Sequence, residues 1–487
     1  YRLLGLTGLL PVSRINLDCV KGRFSDRSSR WATDIIKTML RGTQHSEDYV
    51  MKKTKNALPI MACALAIALL TGCGGNQSVS QSTASSSTTE QENIVQNLTM
   101  LIPDRRLTLG VGTQDGYYYV QPGASDYLTG QIRYVDYATA MDVPLSTQVN
   151  SDHADETDPS YLDSIIGDYR LFIYDGHLYF IRAGASAYVE GSEFGDLATG
   201  AVYRMNLDGS ERTQVYSGDG SGDLMMYAVG GEDALYLFEQ TVEGIDVLRV
   251  PESGGTPETI TTLPPDDGSY QLIGCRDRLL YFHVIGYDPD KKNSAGDMGS
   301  STHTLVTLDV QTGAQTDLVD LCPDDSRYAE PYMAGSTLMY YYPNGERKVA
   351  FCDANGAVQS TVSLTEGASD FQQVDNPYVV GDTLFIPCWD DEQKHGYQLL
   401  VDAATGEVSR SDVCLTQEDG KDPLGATVLA ETDTEYLVMS EIRYEDAQMP
   451  LGDGTATTVQ NQVYGYSLIP KQQFTTQEPA QQRIERM

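Results

Sequence analysis

Short runs of aromatic and aliphatic residues recur along the chain between residues 107 and 470, and polar turns bound each run. The first residues of successive runs are 45 to 61 positions apart. Runs of this length, rich in Tyr, Phe, Leu and Val, predict β-strands in regularly spaced units. The seven runs cover residues 117–120, 178–181, 235–238, 280–282, 338–341, 384–386 and 436–439.

Turn residues divide each unit into hairpins. A second apolar stretch and a tight polar turn such as Asp175-Gly176 or Gly381-Asp382 precede the runs. A further hairpin follows, with its third strand ending near an Asp and its fourth starting after a Gly, although the first unit has Ala140 where the others have Gly. Gly and Asp tolerate the positive φ of such turns. We therefore predict an all-β fold over residues 97–471, a seven-bladed β-propeller of four-stranded antiparallel blades.

One unit carries a family resemblance. Residues 201–216, AVYRMNLDGSERTQVY, resemble the repeat of bacterial surface β-propellers related to the lipoprotein-receptor propeller, the DUF5050 group, and less closely the TolB-type propellers. The other six units match only in outline. The resemblance implies the propeller architecture and a bacterial surface lipoprotein, but no activity.

A closed ring needs a fourth strand in its last blade. The sequence after Pro470 is too polar to predict one, so we expect residues 98–102 to supply it and join the two ends of the chain. On this prediction residues 472–487 form a loose polar tail.

The N-terminal part has the pattern of an export signal. Lys52, Lys53 and Lys55 precede an apolar run over residues 57–70, which is shorter than the roughly 20 residues that span a bilayer. Residues 70–73, LTGC, resemble a bacterial lipobox, which implies cleavage before Cys73 and lipidation of its thiol. We predict an upstream extension outside the native protein at 1–50, a signal peptide at 51–72 and a lipidated flexible linker at 73–96. The predicted location is the bacterial cell envelope, on the extracytoplasmic side of the membrane.

Charge excludes one class of partner. The formal net charge is −36, and residues 73–487 carry 22 basic against 64 acidic side chains. Such a surface repels phosphate backbones, so we predict no nucleic-acid binding.

Long insertions indicate where a ligand would bind. In a propeller the b-to-c loops and the interblade d-to-a links lie on one face, and nearly all insertions fall there, at residues 121–130, 145–168, 183–200, 285–302 and 443–460. Long loops on a rigid scaffold commonly carry binding sites, and aromatic anchors suit protein or glycan contact. These aromatics also fit packing against neighbouring blades. The candidate binding residues are Tyr127, Tyr188, Phe194, Tyr287, Trp389 and Tyr444.

No sequence motif indicates catalysis or a cofactor. The chain lacks G-x-S-x-G, a phosphate-binding loop and H-E-x-x-H, so we predict no catalytic residue, no cofactor and no metal site. His283 and His303 flank one long insertion and could approach each other. The acidic loop at residues 218–223 has a composition that Ca²⁺ could use, but it lacks the spacing of an EF-hand. We predict no obligatory disulfide among the five cysteines that follow Cys73.

Two functions fit these observations. The favoured one is a non-enzymatic lipoprotein whose propeller binds a protein, peptide or glycan through the loop-rich face. The alternative is a propeller-type glycan hydrolase or lyase that uses carboxylates at the central channel. A purely architectural role in an envelope complex is a third reading, because the fold alone does not select among them.

Overall fold

The structure is a computed structural model. It describes residues 97–102, 110–122, 129–146, 148, 157–163, 165, 168–184, 199–265, 268–292, 298–323, 328–344, 347–364, 372–417, 421–450 and 456–487. Within these ranges no helix has the length and apolar character needed to cross a membrane.

The described strands form seven sheets, with the strands of each blade lettered a to d from the centre outward. Strand β1 (Thr99–Met100) precedes the blades. Blade 1 contains β2 (Val111–Gly112), β3 (Gly116–Pro122), β4 (Gly130–Asp136) and β5 (Met141–Pro144), and β6 (Tyr161–Leu162) pairs with one end of β4. Blade 2 contains β7 (Tyr169–Tyr174), β8 (His177–Arg182), β9 (Ala201–Met205) and β10 (Thr213–Ser217). Blade 3 contains β11 (Asp223–Gly230), β12 (Ala234–Gln240), β13 (Ile245–Pro251) and β14 (Glu258–Leu263).

The remaining blades follow the same order. Blade 4 contains β15 (Ser269–Arg276), β16 (Leu279–Lys292), β17 (Met298–Asp309) and β18 (Gln315–Asp320). Blade 5 contains β19 (Glu330–Ala334), β20 (Thr337–Tyr342), β21 (Lys348–Cys352) and β22 (Val358–Ser363). Blade 6 has an interrupted inner strand, β23 (Gln372–Gln373) and β24 (Tyr378–Val380), then β25 (Thr383–Asp390), β26 (His395–Asp402) and β27 (Val408–Ser411). The link β28 (Cys414–Gln417) and β29 (Leu424–Gly425) leads to blade 7, with β30 (Thr427–Glu431), β31 (Glu435–Pro450), β32 (Ala456–Pro470) and β33 (Gln482–Arg483); the last strand is β34 (Glu485–Arg486).

The predicted seven-bladed propeller is confirmed. All seven predicted runs form strand b of their blades. The inner strands of neighbouring blades contact one another around a closed ring, and between blades 3 and 4 strand β1 contacts both inner strands, β11 and β15. The core lies between the faces of adjacent blades, where aromatic rings from neighbouring sheets meet. Phe238 of blade 3 and Phe282 of blade 4, for example, pack edge to face with their ring centroids 6.0 Å apart.

The conformations of the turns explain why Gly and Asp residues predicted the ends of the strands correctly. Asp175 and Gly176 between β7 and β8 have φ of 45° and 72°, a conformation that favours Gly, Asn and Asp. The Asp at the end of strand c accepts backbone hydrogen bonds from the turn that follows, as Asp402 does from Ala404 and Thr405. Ala140 adopts φ 54° at the position where other blades have Gly, so the turn forms there at some cost in strain.

The predicted ring closure is wrong. Blade 7 receives its fourth strand from the C-terminal segment, because β33 pairs with β32 through Ser467 and Leu468. The chain then crosses to blade 1, where β34 pairs in parallel with β5. Ile484 lies buried between these contacts and its N–H donates to Tyr466 O. Residues 472–487 are therefore not a loose tail but the clasp that joins the last blade to the first.

Residues 98–102 lie elsewhere, at the inner edge of blade 3. Strand β1 pairs antiparallel with β11, with Thr99 opposite Gly230. Leu98 N donates to Asp277 O of blade 4 at 2.8 Å, and Leu98 and Ile102 are both buried. Since β11 runs toward its a-to-b turn, β1 runs away from that turn. The chain thus enters the ring between blades 3 and 4 from the face that carries the tight turns.

Five cysteines of the described residues, Cys275, Cys322, Cys352, Cys388 and Cys414, are free thiols. Burial raises the pKa of the Cys275, Cys352 and Cys388 thiols to about 12, so these side chains behave as small apolar residues at neutral pH.

Candidate functional site

The two faces of the propeller differ in construction. The a-to-b and c-to-d turns make one face, named here the tight-turn face. The b-to-c connections and d-to-a links make the opposite one, the loop-rich face. Two of the predicted loops on it are in fact long hairpins, because strands b and c of blades 4 and 7 continue pairing beyond the sheet. The loops expected at residues 285–302 and 443–460 are thus corrected to paired β-ribbons over their described residues, 285–292 with 298–302 and 443–450 with 456–460.

The blade 4 ribbon is the end of β16 and the start of β17. Tyr287 stands opposite Ser301 on it with 68% of its surface exposed. Gly299, with φ 89°, lies beside the Tyr287 ring, and a side chain at that position would collide with the Tyr287 hydroxyl. The glycine therefore lets the ring lie across the ribbon, and its surface is available for contact with a partner.

Two histidines lie at the base of this ribbon. His283 Nε2 and His303 Nδ1 are 3.0 Å apart, and the His303 ring is 4.6 Å from the Tyr328 ring, centroid to centroid. The prediction that these histidines approach each other is confirmed. His283 is 5% exposed, so the pair supports the base of the ribbon and contributes little to its exposed surface.

The blade 7 ribbon carries Tyr444. Its hydroxyl accepts a hydrogen bond from Gln462 Nε2 at 3.4 Å, and Lys421 Nζ is 5.3 Å from its ring centroid. Tyr464 donates to Gln462 Oε1 at 2.9 Å, which extends the polar network along the ribbon. Strand β28 pairs in parallel with β31 at the base of the ribbon and braces it.

Trp389 stands at the loop-rich end of blade 6. It is half-buried opposite Gly396, and its indole N–H donates to Asp391 Oδ1 at 3.2 Å. Nearby, the Arg410 guanidinium lies 3.8 Å from the Tyr397 ring centroid and pairs with Asp390 at 3.3 Å. Hydrogen bonds from Gln393 N above all, and the guanidinium of Arg410, hold the pKa of Asp390 below its usual range. The indole N–H is thus hydrogen-bonded, and part of the side chain remains exposed.

The candidate residues are shared among several blades. Tyr287, Trp389 and Tyr444 lie on blades 4, 6 and 7 at the same face, as predicted from the loops, although their role in binding stays a prediction. Cys73, Tyr127, Tyr188 and Phe194 lie outside the described residues.

Sequence reasoning missed a charged cleft between blades 7 and 1. It has a volume of ≈ 410 Å³ and is open to solvent. Glu441 occupies one wall, where its Oε2 pairs with Arg483 at 2.8 Å and Arg443 at 3.6 Å. The signal in the sequence was the basic end of a strongly acidic chain, QQRIERM. The lining residues are Asp142, Glu441, Arg443, Glu445, Tyr464, Gly465, Tyr466, Arg483, Ile484, Glu485, Arg486 and Met487.

The fold and these faces define the chain as a seven-bladed β-propeller with one elaborated face. No protein-family model matches the sequence, and no curated protein matches it either. Solved structures that share the architecture include the β-propeller domain of the Trilobed protease from Pyrococcus furiosus, with 10% identity and a TM-score of 0.41 over 80% of this chain and 97% of that one. Others are an oligogalacturonate lyase from Vibrio parahaemolyticus (10% identity, TM-score 0.34, 65% and 84% covered) and a putative TolB from Agrobacterium tumefaciens (13%, 0.31, 58% and 88%). Their names range from protease to lyase to TolB, and at these identities no residue role transfers to this chain.

Proposed function

We propose that this protein is a lipid-anchored, extracytoplasmic β-propeller that binds a protein, peptide or glycan through its loop-rich face without catalysis. The observation that supports this most is the pair of ribbons on blades 4 and 7. A ribbon that extends beyond the sheet does not enlarge the hydrophobic core. An aromatic side chain exposed on it therefore contributes no burial energy to folding. Tyr287, exposed in this way, suits an anchor that becomes buried when a partner binds.

The entry of the chain supports one orientation at the membrane. Strand β1 begins at the tight-turn face, so an anchor N-terminal to residue 97 would be connected to the ring at that face. If Cys73 carries the lipid, residue 97 lies 24 positions after it, and a flexible linker of this length has a root-mean-square span of about 27 Å. The tight-turn face is then held near the membrane, and the loop-rich face is directed away from it.

The binding claim is tested on purified protein with a glycan array and with cross-linked capture from envelope extracts. Trp389→Ala and Tyr287→Ala should each weaken binding of any captured partner about tenfold or more, since a central aromatic anchor contributes at least 1 to 2 kcal/mol. Leu207→Ala is the matched control, because Leu207 is an exposed apolar side chain at the opposite face. Equal effects of all three substitutions, or a partner lost only with Leu207→Ala, would contradict binding at the loop-rich face.

The anchor is tested separately. Cys73→Ala should release the protein from the membrane fraction or leave its N-terminus unprocessed. A Cys73→Ala protein that is processed normally and stays with the membrane would exclude lipidation at this residue while leaving the binding claim untouched.

A further inference from the structure

The seam between blades 2 and 3 holds a cluster of side chains at the tight-turn face, away from the ribbons. Asp175 lies in the turn between β7 and β8, His177 begins β8, and Glu252 follows β13 of blade 3. One ligand atom from each lies within 4.8 Å of the others. Two blades therefore bring an imidazole and two carboxylates together, which residue spacing in the sequence did not reveal.

The imidazole is held in a defined orientation. His177 Nδ1 is 2.9 Å from Asp175 O, a carbonyl that only accepts, so Nδ1 carries the proton and donates it. The Nε2 atom then keeps its lone pair. A ring nitrogen fixed in this way by a backbone carbonyl is a common arrangement for histidines that bind metals.

A buried hydroxyl beside the cluster gives an independent observation. Tyr179 is two residues beyond His177 on the same face of β8, directly across from Arg204 of β9. Its side chain is fully buried, and its hydroxyl has no hydrogen-bond partner among the described residues. Arg204 in turn pairs with Glu252 of the cluster, so a water bound to an ion in the cluster would give this buried hydroxyl a hydrogen-bond partner.

The cation already present does not fill the cluster. Arg204 Nη1 is 3.9 Å from Glu252 Oε1, a long contact between side chains that are 30% and 24% exposed. A carboxylate has two oxygens and about four acceptor positions, so Glu252 can face Arg204 and a metal ion together.

We propose that Asp175, His177 and Glu252 form a binding site for a transition-metal ion of the Zn²⁺ class that joins blades 2 and 3. Three protein ligands of the His, Asp and Glu types with a water in the fourth position suit Zn²⁺, whereas Ca²⁺ and Mg²⁺ prefer oxygen ligands alone. Both blades contribute ligands, so the ion binds the folded ring and stabilises it by mass action.

The test uses the full chain, purified without a histidine tag and freed of metal, and titrated with ZnCl2 by calorimetry. We expect saturable binding of one ion and a melting temperature that rises with ZnCl2 concentration. Asp175→Asn, His177→Gln and Glu252→Gln should each weaken binding about tenfold or more. Asp175→Asn is the decisive variant for folding, because Asn adopts the positive φ of this turn as readily as Asp.

The matched control is His395→Gln, which removes a histidine that also faces an aspartate, Asp412, on another blade. Its affinity for Zn²⁺ should equal that of the wild type. The proposal is overturned if the wild type shows no saturable binding, if Asp175→Asn and His177→Gln bind as tightly as the wild type, or if His395→Gln loses as much affinity as they do. Visible absorption of the Co²⁺-loaded protein gives a second readout, and it should disappear in His177→Gln.

Discussion

A buried ion pair holds blade 1 to the clasp, and its removal gives the sharpest test of the closure. Arg133 of β4 is 4% exposed and Asp142 of β5 is 2% exposed. Arg133 Nε donates to Asp142 Oδ1 at 2.8 Å, and its Nη2 donates to Met487 O at 3.0 Å. Tyr119 donates to the other carboxylate oxygen, Asp142 Oδ2, at 2.7 Å. One guanidinium thus connects two strands of blade 1 with the end of the chain.

Replacing one partner leaves the other charge buried. Arg133→Met keeps much of the side-chain volume but leaves the Asp142 carboxylate with the Tyr119 hydroxyl as its remaining side-chain donor among the contacts described above. We expect a loss of about 3 to 5 kcal/mol in the free energy of unfolding, because a buried carboxylate without its cation is poorly solvated. The double variant Arg133→Met with Asp142→Leu should lose less than the sum of the two single variants, since neither charge is left alone.

Urea unfolding followed by tyrosine fluorescence and by circular dichroism measures these differences. Arg249→Met is the matched control, because Arg249 pairs with Asp233 at 2.7 Å on the surface, where that aspartate side chain is 66% exposed. The control should cost less than about 1 kcal/mol. If Arg133→Met costs no more than Arg249→Met, or if the double variant is as damaged as the two singles together, Arg133 does not stabilise the closure in this way.

Three further predictions concern other parts of the ring. Glu239 is buried, and burial raises its pKa from the ordinary 4.5, so its charged form destabilises the fold. Glu239→Gln should therefore raise the urea midpoint at pH 7, and this gain should shrink as the pH falls toward 4. A gain that stays constant with pH would contradict this prediction. Leu98→Ala should cost about 2 to 4 kcal/mol in urea unfolding if β1 seals the gap between blades 3 and 4, while Thr99→Ala, at an exposed position, should cost under 1. Removing residues 482–487 should lower the melting temperature in scanning calorimetry, because it removes strands β33 and β34 and the backbone hydrogen bonds that Ile484, Glu485 and Met487 donate; an unchanged melting curve would show that the clasp is dispensable.

The blades were predictable because the information for each is local. Residues 235–238 are apolar throughout and do not alternate between apolar and polar side chains. This is expected for strand b, which pairs with a strand on each side and packs against a blade on each face. The turns beside it require particular residues, so Gly and Asp mark its ends. The apolar run and its turn residues lie close together in the sequence, so each strand can be predicted without information from the rest of the chain.

The closure was not predictable in the same way. Strand β33 is two exposed residues that pair through backbone atoms, and backbone pairing leaves no trace in side-chain polarity. Residues 98–102 are apolar enough to be read as a strand, yet the pattern does not say which sheet they join. Phe474 and Ile484, two apolar residues in an otherwise polar segment that are both buried, marked the clasp as an ordered element.

The same limit applies to the sites. The positions of Tyr287, Trp389 and Tyr444 on one face followed from connectivity, since strands in an antiparallel blade alternate in direction and every b-to-c connection must fall at the same end. The approach of His177 to Glu252 depends instead on how blade 3 is rotated against blade 2. The two residues are 75 positions apart, and no period in the sequence encodes that rotation.

Two features favour the loop-rich face over the tight-turn face as the side where a partner would bind: the position of β1 and the two ribbons. Strand β1 fills the inner edge of blade 3 from the tight-turn side, and Leu98 N there bonds to the turn of blade 4. A partner approaching the ring from that side would meet this strand. The opposite side carries the two ribbons, and their paired backbones fix the exposed tyrosine and its neighbours before any partner arrives. A preformed surface of this kind spends little conformational entropy on binding, so modest contact area there is worth more than the same area on a flexible loop.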